Sequence, residues 1–135
     1  MDYAERLKKN IAESDRILLG MKSASVSYER FCELLKEYIR LCYVIDDTDF
    51  WSDDIRELSR FSMEHQQKAI GNDTAILKDT SLRCAGTTSS DTKQILLLMK
   101  LRKDLGIELE PAFIGTVKSV ESISERLFSQ LQKLR

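Results

Sequence analysis

One proline and five glycines in 135 residues give too little turn punctuation for a fold made of many short strands. A sandwich or barrel reverses direction roughly every 8–12 residues and draws on Gly and Pro to do so. A chain this poor in both is expected to be all-α. The apolar spacing agrees. Ala4, Leu7, Ile11, Ser14, Leu18 and Met21 alternate by three and four, which lines one side of a helix over residues 2–23.

A second helix is predicted over 28–45, with Phe31, Leu34, Leu35, Tyr38, Cys42 and Ile45 on one face and Ser25 or Ser27 as its cap. The acidic run from Asp46 to Asp54 suits the start of a third helix, because carboxylates favour the positive end of the dipole. Its stripe reads Ile55, Leu58, Phe61, Ser62, His65, Ala69 and Ile70, and Gly71-Asn72 ends it. This places the single histidine on a partly buried, structural face. Residues 71–90 are polar and irregular, and a loop that long in a compact domain tends to carry function. Ser89 or Ser90 can cap a fourth helix that stops at Gly106. Pro111 marks a connection with room for one short turn. Thr116 or Ser119 then caps a last helix with the stripe Val120, Ile123, Leu127, Leu131 and Leu134.

Lys and Arg total 21 against 22 Asp and Glu. This balance disfavours nucleic acid and anionic membrane as partners. No apolar run approaches the ~20 residues that span a bilayer. Met1-Asp2-Tyr3-Ala4-Glu5-Arg6 lacks the apolar core of a secretory leader, so the expected location is the cytoplasm. Cys32, Cys42 and Cys84 lack metal-ligand spacing, and with one histidine no metal site is expected. The acidic run lacks the glycine and terminal glutamate of a calcium loop. Phe50-Trp51 reads as an anchoring pair, and an exposed Trp51 would instead suggest docking. With no phosphate loop, nucleophile elbow or paired catalytic motif, the chain is not expected to be an enzyme.

The back part has a more specific pattern. An apolar run from Ile95 to Leu101 leads into Leu105-Gly106-Ile107-Glu108-Leu109, then Pro111, then Thr116-Val117-Lys118-Ser119-Val120. From Ser81 to Leu127 this resembles the acyl carrier protein superfamily, and among its members the divergent carrier-related proteins of bacterial peptide-maturation systems. The resemblance implies an acyl-carrier-like four-helix bundle over residues 49–135, with a short third helix. Residues 1–48 would be an added N-terminal helical hairpin. Carriers do no chemistry themselves; they present a group on a 4′-phosphopantetheine arm to partner enzymes.

The family joins that arm to the serine of an Asp-Ser-Leu motif at the start of the central helix. Counting on from Ser81-Leu82, Ser90 falls there; counting back from Leu105-Gly106-Ile107, Asp91 does. Ser89 precedes and Asp91 follows Ser90, where the family has Asp and Leu. Ser90 is thus read as an attachment site or as an ordinary helix cap. The family's central helix is acidic, whereas this one has Lys93, Lys100, Arg102 and Lys103. These four are the expected partner face, for an acidic partner surface, or a solvated basic face. Two alternatives stand beside the carrier: a degenerate carrier without the arm, acting as an interaction module, and an unrelated helical regulator or binding protein. The hairpin's apolar stripes would pack on its own bundle or on a second copy as a homodimer.

Overall fold

The structure is a computed structural model and describes residues 3–46, 50–70 and 90–134. The described residues form six helices and no strand, an all-α fold. They are α1 (Tyr3–Met21), α2 (Tyr28–Tyr43), α3 (Ile55–Ile70), α4 (Ser90–Leu105), α5 (Pro111–Thr116) and α6 (Val120–Lys133). Among the described residues no helix is long and apolar enough to cross a membrane. The polar stretch 71–89, with Cys84 and the Gly71-Asn72 stop, lies outside the described residues, as do Asp47 and Asp49.

Local chemistry sets several helix ends. Ser27 caps α2 by accepting a hydrogen bond from the Arg30 N–H at 3.1 Å. Asp54 accepts from the Arg56 N–H at 2.9 Å at the head of α3. Ser119 accepts from the Ser122 N–H at 3.0 Å at the head of α6. Each satisfies an N–H that the first turn leaves without a helical partner. Gly106, at φ +65°, ends α4 in the left-handed region that suits glycine. Val44 ends α2 at φ 55°, where a β-branched side chain is costly, on the order of 1–3 kcal/mol. Its side chain is buried against Leu7 of α1, with Tyr3 and Ile11 alongside.

α1 and α2 form the expected hairpin, closely packed at Gly20, where an added Cβ would lie 3.1 Å from a Leu34 methyl. Arg6 pairs with Asp46 across its open end. Leu7, Ser14, Leu18 and Met21 face inward from α1, and Phe31, Leu35, Tyr38, Ile39 and Cys42 from α2. One apolar core joins Leu18, Met21 and the α2 residues to Ile55 and Leu58 of α3, Leu97, Leu98, Leu101 and Leu105 of α4, and Ile123, Leu127 and Leu131 of α6, while Leu7 packs with Val44 in a separate small cluster. The hairpin therefore packs on the rest of its own chain. Burying a side chain of this class stabilises by about 1.5–3 kcal/mol.

Contacts along the helices fix their directions. Gln94 near the start of α4 donates to the Val117 carbonyl just before α6, at 2.9 Å. Arg102 near the end of α4 and Gln130 near the end of α6 line one groove. α4 and α6 accordingly run the same way, with α5 on the return path between them. α2 runs opposite: Tyr43 lies by Lys93, Tyr38 by Lys100 and Asp104, and Phe31 by Phe128. α3 sits at the end where α4 and α6 begin. The Ile55 N–H donates to the Lys118 carbonyl at 2.9 Å, and the Val120 N–H to the Asp53 carbonyl at 2.7 Å.

Candidate functional site

The start of α4 is where the sequence directs attention. Ser90 is its first residue, half-buried, with Asp91 and Thr92 exposed beside it. First-turn N–H groups and the positive end of the dipole favour phosphate at a helix start. A phosphodiester on the Ser90 hydroxyl fits that placement, while Asp91 next to it adds a negative charge that does not help an anion.

Lys93, one turn further on, does not reach toward Ser90's surroundings from outside. It is fully buried. Its Nζ donates to Gln66 Oε1 at 3.0 Å and lies 5.3 Å from the centre of the Tyr43 ring. The Tyr43 hydroxyl shares a 2.8 Å hydrogen bond with Ser59 Oγ, and Ser62 Oγ donates to the Tyr43 carbonyl at 2.6 Å. Tyr43, Ser59, Ser62, Gln66 and Lys93 thus form a buried polar cluster at the junction of α2, α3 and α4.

The four basic residues expected to share a partner face do not share one. Lys93 is removed from it by burial, which is a correction to that expectation. Lys100 is partly buried and engaged: Nζ lies 2.5 Å from Asp104 Oδ2, donates to the Tyr38 hydroxyl at 2.9 Å and stands over the Tyr38 ring. Arg102 is half-buried in a groove of about 470 Å3 with Ile107, Glu108, Leu109, Glu110 and Gln130. Lys103 is exposed. At about 1.5 Å rise per residue, Lys103 lies roughly 20 Å along the axis from Ser90.

Two residues weighed in the sequence also find their places. His65 is exposed and rests against the Phe61 ring; Gln66 takes the buried position expected for it. Ile55, Leu58 and Ser62 of the predicted stripe are buried as expected, and Ser59 and Gln66 join them, while Phe61 is half-buried and His65 exposed. Trp51 is half-buried under Lys36 and Arg40, 5.0 and 4.8 Å from its centre, so it anchors the lead-in to α3. Among the described residues, no three His, Cys, Asp or Glu side chains gather as a metal-binding group.

Sequence reasoning missed the buried polar cluster and the outer face of α4. Both left a signal. Lys93 stands four residues before Leu97 and eight before Leu101, on the row that faces the core. Ile95-Leu96-Leu97-Leu98-Met99 is five apolar residues in succession, more than one helix face can hold. Ile95 and Met99 are 37% and 42% exposed as a result. Comparison with family models, curated proteins and solved structures finds no match. The carrier resemblance therefore rests on the motif residues in the sequence.

Proposed function

We propose that the chain is a non-enzymatic, carrier-like protein that presents a group on a 4′-phosphopantetheine arm at Ser90, or docks to biosynthetic or peptide-maturation enzymes. The observation that carries this reading is the arrangement around α4. A serine stands at the accessible start of a long helix. A helix of one and a half turns with Pro111 in its first turn follows, and then a last long helix runs parallel to the first. That order and the Leu105-Gly106-Ile107-Glu108-Leu109 step agree with the superfamily.

Co-expression of the full chain with a phosphopantetheinyl transferase, followed by intact-mass measurement, tests the arm. The expected result is a shift by one phosphopantetheine, lost in Ser90→Ala. An unmodified chain, under conditions that modify a control carrier, removes the arm. A second reading, a degenerate carrier that acts as an interaction module, draws support from the exposed apolar side chains of α4 and from the residues flanking Ser90. It predicts partner capture that Ser90→Ala leaves unchanged.

A further inference from the structure

α4 carries apolar residues on both sides. Leu97, Leu98, Leu101 and Leu105 fill the core. On the opposite side a single row of four-residue spacing reads Asp91, Ile95, Met99 and Lys103, all exposed, with Leu96 half-buried beside it. A surface helix ordinarily keeps its outward row polar, and exposed apolar residues that cluster mark interaction surfaces.

The row has a property that names its occupant. Its charges stand at opposite ends, and its apolar pair stands in the middle. Laid antiparallel on a copy of itself, Asp91 meets Lys103 at both ends and Ile95 meets Met99 at the centre. Parallel pairing would set like against like at each end. Rows of this spacing interdigitate when two helices cross in the commonest packing class, and a two-fold axis requires a self-complementary patch of this kind. Lys100 and Asp104 are already paired with each other. Around the helix axis half-buried Arg102 borders the row between Asp91 and Ile95, and in the antiparallel pair it adds to the positive charge that meets Asp91 of the other copy.

We propose that α4 is a self-association surface, through which two copies of this chain pair antiparallel about a two-fold axis between Ile95 and Met99. The inference does not rest on the carrier reading. It places self-association and any partner that docks on α4 in competition. A single helix pair lies at the small end of specific interfaces, so the dimer is weak and concentration-dependent.

Sedimentation velocity on the full chain across a concentration series tests this, with circular dichroism to confirm helicity of each variant. The expected result is a monomer–dimer equilibrium that Met99→Asp weakens by at least roughly tenfold. Asp91→Lys and Lys103→Asp each put like charges at both ends of the pair and weaken self-association by about tenfold. Mixed in equal amounts, those two variants place opposite charges at both ends and recover the original affinity. A chain that stays monomeric at every concentration overturns the proposal and leaves the row to some other occupant. A dimer indifferent to Met99→Asp, or a mixture no tighter than the separate variants, also overturns it.

Discussion

α2 contributes to two seams that differ in chemistry. Toward α6 it presents Tyr28 and Phe31, whose rings meet Phe128 edge-on at 5.4 Å each, over Leu35 and Leu127. Toward α3 and α4 it presents Tyr43, and the seam there is built from hydroxyls, an amide and an ammonium. The first seam is held by area and dispersion, which fall off gradually as atoms are removed. The second is held by matched donors and acceptors in a dry interior, where losing one partner leaves another stranded. The chain thus puts its tolerant packing at one end and its exacting packing under the start of α4, where a functional serine would need a fixed base.

The largest expected effect tests the dry seam. Phe31→Ala should destabilise the fold by about 3–5 kcal/mol, seen as a lower midpoint in denaturant unfolding; a negligible shift would mean the seam collapses around the gap. Next comes the polar seam. Gln66→Leu removes an acceptor from a buried ammonium and should cost about 1.5–3 kcal/mol. Lys93→Met should cost less, and the double variant should be no worse than Gln66→Leu alone, because the buried charge that lost an acceptor is then gone. Simple additivity of the two losses would show that the polar seam behaves like the dry one.

The smallest effect sharpens the contrast between partnered and unpartnered hydroxyls. Tyr43→Phe strands Ser59 and should cost about 1 kcal/mol. The Tyr3 hydroxyl is buried without a hydrogen-bond partner among the described residues, so Tyr3→Phe should cost nothing. Burial pushes the Tyr3 phenol up to about 12, with Arg6 pulling slightly the other way. The unfolded phenol loses its proton near pH 10 while the folded one keeps it. Stability is therefore intact below about pH 10 and falls as pH rises from there toward 12. Tyr3→Phe should reduce that fall in an alkaline unfolding series without abolishing it. The Tyr28 phenol remains, also raised to about 12 by lost hydration, with a hydrogen bond to Cys32 adding to it.

What could be read in advance was local. Ser27 and Ser119 act within one turn of themselves, and Gly106 ends its own helix, so their roles show in a few adjacent letters. The place of Ser90 at the head of α4 was legible for the same reason. Lys93 was not, because its burial depends on Gln66 and Tyr43, which are distant in sequence and belong to two other helices. His65 and Gln66 are neighbours that differ by about 100° around the helix axis, and their spacing to Leu58 and Ser62 does not decide which turns inward. The outer row of α4 is visible as letters, but along the sequence it merges with the inner row into one apolar run.

The left-handed Val44 carries a consequence for how the pieces depend on one another. Nothing in its own backbone preference favours a valine there; the Ile45 N–H donating to the Arg40 carbonyl at 2.9 Å and the pocket formed by Leu7, Tyr3 and Ile11 together hold it. The first helix is thus a template for the corner that aims the chain toward Trp51 and α3. Trimming α1 away would release that corner and unseat Tyr43, the residue immediately before it, from beneath the ammonium of Lys93. An apparent N-terminal appendage would in this way govern the footing of a serine nearly ninety residues further along.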